Sequence, residues 1–319
     1  MKRFKDLAVT ASVDVHQHVW PPSLIAALRA RRAPPCLRGW RLVLPAGAEH
    51  AVDPRDHDPG LRSWQADADG IDLALVSLSS ALGIELLAPA QAAELLSAYH
   101  EGALELPDRF GAWASACLTE IDPAALEREL DRGFAGLQLP AGALCDRAGY
   151  DRVGPLLDVL ERRAAPLLIH PGLPAAPPAG APSWWPAVVD YVAQMHASWY
   201  ALRAHGRPRH PRLRVCFTLL AGLAPLHGER FAARAGHRTV VDPLAFVETS
   251  SYGTRAIDAT VRVLGIDVLI NGSDRPYARP SEPELGAAAR HALRCANPRR
   301  LLQAEEVPHA AVVTAAAQP

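Results

Sequence analysis

Two histidines separated by one residue end an apolar segment near the start of the chain, VDVHQH at Val13–His18. Because residues i and i+2 of a β-strand point to the same side, His16 and His18 can turn both imidazoles toward one cation. Imidazole is largely neutral near pH 7 and binds zinc and related metals without first losing a proton. The spacing therefore indicates half of a metal site, although an isolated pair of this kind is explained equally well by two surface histidines.

Two further residues of ligand type end later apolar segments. His170 closes the strand-like run in LLIHPG at 167–172, and Asp274 lies in LINGSDRP at 269–276. Taken singly, His170 is more simply a buried core histidine and Asp274 a helix cap or a salt-bridge partner. Both nevertheless end strand-like runs, as the first pair does, and parallel barrels build their active sites at the carboxyl ends of strands. All three motifs therefore fall on the face where a barrel active site would be built, which is improbable as a coincidence.

The segments that carry these residues alternate with amphipathic segments of helical length. Strand-like runs lie at 11–16, 71–80, 110–118, 133–140, 165–170, 213–220, 245–251 and 266–274. Most are nearly continuous in hydrophobicity, which is typical of parallel strands buried on both faces. Pattern counting alone also allows an open, doubly wound sheet. Eight strand and helix pairs, with active-site residue types at three strand ends, predict one α/β domain over residues 1–319, a (β/α)8 TIM barrel distorted by loop insertions.

Three irregular segments interrupt this pattern. Residues 33–62 are rich in proline, glycine and charge and follow the first predicted strand, and residues 171–186 follow the fifth. Both should therefore emerge over the face that carries the metal site. Residues 305–319 are predicted to form a loosely packed C-terminal tail.

Composition excludes several classes of protein. A net charge of −1 without a sustained basic run is not the charge pattern of a nucleic-acid-binding protein. No apolar run is long enough to span a membrane. The N-terminus lacks a secretory pattern, and five scattered cysteines without a CxxC pair indicate reduced thiols. We therefore expect a cytoplasmic enzyme that acts on a small molecule, as a homodimer or another homo-oligomer.

Together these motifs resemble the metal site of the amidohydrolase superfamily, in the amidohydrolase-related branch that includes aminocarboxymuconate semialdehyde decarboxylase. The resemblance covers nearly the whole chain and includes GFAGLQLP at 133–140, GSDRP at 272–276 and NPRRLL at 297–302. It implies that His16, His18, His170 and Asp274 hold one divalent metal ion, with Zn²⁺ expected and Mn²⁺ the alternative, and that His170 and Asp274 are also catalytic. A water or a substrate oxygen would complete the coordination.

One position departs from the family pattern. Members usually carry a histidine at the end of strand six, where this chain has Leu219 in FTLLAGLAP at 217–225. In the family's decarboxylases that histidine contacts the substrate and assists proton transfer, so its absence weakens a direct transfer of that activity. It also argues against a binuclear site, as does the absence of a lysine after strand four that could be carbamylated. We expect a mononuclear site.

The expected reaction is metal-assisted hydrolysis of a small amide, lactone or related carbonyl compound, with Asp274 accepting a proton from the attacking water. One alternative is nonoxidative, metal-dependent decarboxylation of an aromatic or unsaturated carboxylic acid. Another is a non-catalytic barrel, which only the missing histidine supports.

Aromatic residues near the predicted strand ends are candidates for substrate binding. Trp20 follows the HxH motif, and Trp184 and Trp185 lie in the proline-rich segment after strand five, so they could form an aromatic wall. Tyr252 follows strand seven, where its phenol could reach the substrate or simply pack.

Two basic residues complete the set of candidates. Arg275 could pair with a substrate carboxylate, but an ion pair at the barrel rim explains it equally well. His227 could replace the missing imidazole, although a solvent-facing helix position is the simpler interpretation.

Overall fold

The computed structural model describes residues 7–45, 49–236, 240–280 and 283–303. In chain order its strands are β1 Val13–Gln17, β2 Cys36–Arg38, β3 Arg41–Val43, β4 Glu49–Ala51, β5 Leu73–Val76, β6 Phe110–Ala112, β7 Leu137–Pro140, β8 Leu167–His170, β9 Val215–Phe217, β10 Ala245–Glu248 and β11 Leu269–Ile270. Its α-helices are α1 Pro22–Ala30, α2 Pro59–Ala68, α3 Pro89–Leu104, α4 Pro123–Arg132, α5 Arg147–Arg162, α6 Tyr191–Ala201, α7 Gly228–Ala235, α8 Thr254–Leu264, α9 Gly286–His291 and α10 Asn297–Leu302.

Eight of the strands are parallel and form a barrel. Strands β1, β5 and β6 make one parallel set, and β7 to β11 make a second in sequential order. Backbone hydrogen bonds join the two sets at both edges: Gln138 N–H donates to Ala114 O at 2.8 Å, and Val15 N–H donates to Asn271 O at 3.1 Å. The predicted (β/α)8 barrel is therefore confirmed.

Three of the helices begin at a short acidic side chain that caps them. Asp58, Asp122 and Asp146 each accept a hydrogen bond from the backbone N–H three residues later, at the starts of α2, α4 and α5. Proline occupies the beginning of α2 and α4, where it removes no helical hydrogen bond. Such start signals in the sequence explain why the helix positions could be predicted.

Large aromatic side chains anchor the first three barrel strands to one another and to α3. The Trp113 indole donates to Val15 O at 2.9 Å, and the Tyr99 hydroxyl bonds Trp113 O at 2.9 Å. Both side chains are fully buried. Each ring fills core volume while its polar end satisfies a backbone carbonyl, so the ends of β1 and β6 are held in a defined position.

The predicted irregular insertion at 33–62 contains ordered structure. Its strands β2, β3 and β4 pair antiparallel, with Cys36 opposite Val43 and Arg41 opposite Ala51. Strands of three residues among prolines and glycines carry too little periodicity to be recognised from the sequence. The predicted tail at 305–319 lies outside the described residues. None of the described helices has the length and hydrophobicity required to cross a membrane.

Candidate metal centre

Strand β1 places the two histidines of the HxH motif side by side at the barrel mouth. The Nε2 atoms of His16 and His18 are 3.1 Å apart, and both side chains are buried. Their rings meet edge to face, with centroids 5.0 Å apart. Two histidines in this arrangement can share one cation.

The other two predicted ligands join this pair. The His170 ring lies 4.9 Å from that of His16 and 5.0 Å from that of His18. The Asp274 Oδ1 atom is 3.5 Å from His16 Nε2 and 3.2 Å from His18 Nε2. One potential ligand atom from each of the four residues lies within 4.8 Å of the others. The structure thus brings together four side chains that are separated by up to 258 positions in the sequence.

The far side of each imidazole faces a hydrogen-bond acceptor. The Nδ1 atom of His16 faces Glu248 Oε1 at 3.3 Å, that of His18 faces Ser77 O at 3.0 Å, and that of His170 faces Pro171 O at 2.7 Å. A neutral ring in such a position carries its proton on Nδ1 and turns the Nε2 lone pair toward the centre. Three imidazole lone pairs and one carboxylate are a donor set that fits Zn²⁺ or Mn²⁺.

Electrostatics favour neutral rings at two of the three histidines. Burial lowers the pKa of His18, and burial together with the neighbouring histidines lowers the pKa of His170 well below its ordinary value. Burial also acts to lower the pKa of His16, but the hydrogen bond and charge of Glu248, together with the charges of Asp274 and Asp14, outweigh it and raise that pKa. Glu248 is therefore the main group that favours a proton on His16.

Sequence reasoning missed Glu248, which ends β10. Its buried carboxylate accepts hydrogen bonds from Leu219 N–H at 2.7 Å and from Ser250 N–H at 2.8 Å. A Cβ atom at Gly272 would overlap the Glu248 carboxylate, so only glycine fits there. The available signal was a lone acidic residue at the end of the buried run AFVE, which is the same type of signal that identified Asp274.

A second buried carboxylate supports the HxH strand from behind. Asp14 accepts hydrogen bonds from His16 N–H at 3.0 Å, from Ser273 N–H at 3.1 Å and from the Gln17 side-chain amide at 2.8 Å. Burial raises the pKa of Asp14 despite these bonds. Asp14 thereby links the strand that carries the histidine pair to the segment that carries Asp274.

Arg62, at the buried face of α2, completes this support. Its guanidinium donates to Gln17 Oε1 at 2.6 Å, to His18 O at 2.7 Å and to Asp56 O at 2.8 Å. Only 1% of the residue is exposed. The insertion is thus connected directly to the backbone of a candidate metal ligand.

A cavity of about 730 Å³ opens above the four candidate ligands. The predicted residues Trp20 and Tyr252 line it, as do two aromatic residues that sequence reasoning missed, Tyr191 and Tyr277. Apolar side chains from several elements complete much of the wall, namely Leu42, Leu44, Val52, Leu82, Val192 and Leu219. The arrangement suits a planar, largely apolar molecule.

Two predicted aromatic-wall residues lie elsewhere. Trp184 and Trp185 stack on each other with ring centroids 6.1 Å apart, and neither lines the cavity. Trp184 is more than half exposed. His227 packs edge to face against His196 at 5.0 Å, also away from the cavity lining, so it does not replace the missing imidazole.

Arg275 is held by an ion pair at the barrel rim. Its guanidinium donates to both carboxylate oxygens of Asp69, at 2.7 and 2.9 Å, and the residue is absent from the cavity lining. Of the two interpretations given to Arg275 from the sequence, the structure shows the rim ion pair. A position next to a ligand in sequence does not determine which way a long side chain points.

The segment after β9 has an unusual backbone. Leu219, Leu220, Ala221 and Leu223 have φ between 47° and 60°, a region that costs L-residues about 1–2 kcal/mol each. This left-handed turn directs Leu219 N–H to Glu248 and leaves Leu219 on the cavity wall. At Leu219 the chain therefore presents a strained backbone and an apolar side chain to the cavity.

No protein-family model and no curated protein matches the chain. Solved structures do share its fold. The apo form of IDCase from Metarhizium anisopliae is 17% identical with a TM-score of 0.74, over 93% of this chain and 98% of that one. A 5-carboxyvanillate decarboxylase from Novosphingobium aromaticivorans, complexed with manganese and 4-hydroxy-3-methoxy-5-nitrobenzoic acid, is 17% identical with a TM-score of 0.66, over 92% and 96%.

A third structure, 2,6-dihydroxybenzoate decarboxylase from Rhizobium, is 18% identical with a TM-score of 0.64, over 92% of this chain and 99% of that one. Proteins described as amidohydrolases also share the fold. Identities below 20% establish architecture and not activity. The chain therefore has the barrel fold found in these decarboxylases and amidohydrolases, over nearly its whole length.

Proposed function

We propose that this protein is a metal-dependent, nonoxidative decarboxylase of an aromatic or unsaturated carboxylic acid. The observation that carries the proposal is the convergence of His16, His18, His170 and Asp274 beneath a cavity with apolar and aromatic walls. Decarboxylases of small aromatic acids with the same fold support it. The same convergence counts against a non-catalytic barrel, which would have no need to keep four ligand-type residues together.

The three histidines and Asp274 would hold one divalent ion, either Mn²⁺ or Zn²⁺. Manganese is the ion in the complex of the 5-carboxyvanillate decarboxylase. When bound, the ion supplies positive charge that orients a carboxylate and an adjacent oxygen and stabilises negative charge during the reaction. Glu248 would hold His16 in the orientation that binding requires.

Asp274 is the candidate proton donor. Its side chain is 16% exposed and lines the cavity, so it can touch a substrate bound there. In the proposed reaction the bond from the substrate carbon to its carboxylate breaks, and the electron pair stays on that carbon. Asp274, having taken a proton from solvent or from a substrate hydroxyl, delivers it to the carbon, and carbon dioxide leaves.

Tyr277 offers a second hydrogen-bond donor near the centre. Its ring centroid lies 5.4 Å from that of His18. The residue lines the open cavity, and 59% of its surface is accessible. The ordinary pKa of a tyrosine phenol is about 10. The phenol therefore stays protonated near neutral pH and can donate to an oxygen of the substrate.

Hydrolysis, which the sequence favoured, is the second candidate. Leu219 on the cavity wall supports it, because the imidazole used by the family's decarboxylases is missing there, and amidohydrolases share the fold. The named neighbours with aromatic acid substrates nevertheless favour decarboxylation. The two reactions differ in whether oxygen from water enters the product.

One experiment separates the candidates. Manganese-loaded protein is incubated with 2,6-dihydroxybenzoate, with 5-carboxyvanillate, and with a panel of aryl amides and lactones. In D2O, decarboxylation should release carbon dioxide and leave deuterium on the ring carbon, as read by NMR. Hydrolysis would instead place ¹⁸O from labelled water in the product. Amide or lactone turnover without carbon dioxide release from any acid would reject the decarboxylase proposal, and Asp274→Asn serves as the inactive control.

A further inference from the structure

His57 lies in the insertion and packs against the residue that follows the HxH motif. It ends a short 3-10 turn at Pro54–His57, and its ring stacks on Trp20 at a centroid distance of 4.4 Å and an interplanar angle of 9°. The Trp20 N–H donates to His57 Nδ1 at 3.1 Å. The ring is therefore held in both position and rotation.

This hydrogen bond defines which nitrogen of His57 carries a proton. Because Nδ1 accepts from a backbone N–H, the neutral ring must carry its proton on Nε2. Burial, with the nearby charge of Arg62, lowers the pKa of His57 to about 3, so the ring is neutral at ordinary pH. Among the described residues no hydrogen bond engages Nε2, and His57 lines the cavity. The ring thus offers an uncharged donor to a bound molecule.

The insertion holds this donor close to the candidate metal ligands. One nitrogen of Arg62 donates to His18 O at 2.7 Å and to Asp56 O at 2.8 Å. Asp56, the residue before His57, and the candidate ligand His18 are therefore joined through one nitrogen of Arg62. A substrate bound at the metal centre would lie within the same cavity as the His57 ring.

The charged side chains around the cavity disfavour a second carboxylate on the substrate. No arginine or lysine occurs among the described residues that line it, whereas Asp53, Asp56 and Asp274 do. The nearby guanidinium groups of Arg55, Arg62 and Arg275 are each engaged: Arg55 by Asp53, Arg62 by the backbone and Gln17, and Arg275 by Asp69. A second carboxylate on the substrate would find none of these cations unpaired and would face the carboxylates of Asp56 and Asp274.

We propose that His57 donates its Nε2–H to a neutral oxygen of the substrate, and that the protein selects acids with one carboxylate and an uncharged acceptor elsewhere on the molecule. This inference rests on the proposed function, because the single carboxylate is the group placed at the metal centre. It makes His57, from the insertion, a residue that determines specificity.

Three variants of His57 separate donation from packing. His57→Gln keeps both functions, since its amide oxygen can accept from Trp20 N–H while its NH2 group faces the cavity. His57→Phe keeps the stacking on Trp20 but has no donor. His57→Asn keeps an acceptor for Trp20 N–H but is too short to reach a substrate oxygen. Metal content and the melting temperature, measured for each variant, report a purely structural effect.

The test measures binding of matched probes to manganese-loaded protein by calorimetry. The probes are 4-acetyl-2-hydroxybenzoate, the nearly isosteric 4-isopropenyl-2-hydroxybenzoate, which lacks the acceptor, and 2-hydroxyterephthalate, which has a second carboxylate. The 5-substituted counterparts place the same groups at the neighbouring ring position, para to the hydroxyl. We expect the acetyl member of at least one series to bind about 10-fold tighter than the isopropenyl member and tighter than the diacid. His57→Phe and His57→Asn should reduce the acetyl preference to about one, and His57→Gln should retain it.

Two kinds of failure can be told apart. Equal binding of the acetyl and isopropenyl members in both series, a preference unchanged in His57→Phe and His57→Asn, or tightest binding of the diacid would overturn the role of His57 while leaving decarboxylation intact. Absence of binding by every probe to the metal-loaded protein would instead remove the carboxylate site and with it the proposed function.

Discussion

The Nδ1 atom of His16 lies 3.3 Å from Oε1 of Glu248, a residue 232 positions later in the chain. The same carboxylate oxygen accepts the Leu219 N–H at 2.7 Å. One buried acid therefore orients a candidate metal ligand and holds the strained turn after β9. The site depends on this contact although Glu248 itself is not among the four candidate ligands.

Replacing Glu248 with glutamine should weaken metal binding by about 10- to 100-fold, because His16 loses the charge that favours its Nδ1–H form. The measurement is a manganese titration against a competing chelator. Glu85→Gln is the matched control, since Glu85 is equally buried and bonds Ser80 at 2.6 Å, away from the histidines. Equal affinities for the two variants would show that Glu248 has no part in holding the ion.

Asp274→Asn should abolish most activity while preserving the local backbone. Asp274 has φ of 58°, and asparagine tolerates that region better than alanine. We expect kcat to fall about 1,000-fold, as for loss of a general acid, with a smaller change in KM for the acid substrate. Steady-state kinetics at saturating manganese check this, and a kcat within 10-fold of the parent value would exclude Asp274 as the proton donor.

Arg62→Met should lower the free energy of unfolding by about 3 kcal/mol, because the carbonyls of His18 and Asp56 and the Gln17 amide oxygen lose their donor in the interior. Urea denaturation of the metal-free protein measures the change. Arg262→Met is the control: that arginine is exposed and pairs with Asp258 on one helix, so its loss should cost less than about 0.5 kcal/mol. Similar losses for both variants would contradict the role given to Arg62.

Acid should destabilise the fold through His100. Its Nε2 accepts the Ser115 N–H at 3.1 Å, and burial, with the charge of Arg132, lowers its pKa to about 3; Glu129 at 3.7 Å is too far to form a hydrogen bond and does not offset this. The folded pKa lies below the unfolded value of about 6.5. Between pH 6.5 and 3 the unfolded chain therefore binds more protons, and stability falls as pH falls.

The expected loss from His100 between pH 7 and pH 5 is about 2 kcal/mol. His100→Gln keeps an acceptor for Ser115 N–H and cannot titrate. Between pH 7 and pH 5 its free energy of unfolding should therefore fall by about 2 kcal/mol less than that of the parent protein. Urea midpoints of both proteins without metal check this, since metal binding is itself sensitive to pH. Parallel pH profiles for the two proteins would rule out the assigned cause.

Sequence patterns predicted the strands and the four candidate ligands because both depend on local periodicity and on residues at strand ends. Glu248, His57 and Tyr277 were missed, since their roles arise from contacts between distant segments. The sequence also did not show which way the side chains of Arg275, Trp184 and His227 point, because packing against neighbouring elements decides their directions. The cytoplasmic location and the homo-oligomeric state remain predictions.

The antiparallel sheet of the insertion supplies Leu42 to one side of the cavity, while the barrel strands supply the metal-type residues. Part of the discrimination between substrates is therefore encoded in a stretch of the polypeptide separate from the metal-type residues. A library of variants confined to residues 42–44 and 50–57 could change which acids are accepted while leaving the reactive centre intact. Proteins of this fold that differ mainly in these residues would then catalyse the same reaction on different acids.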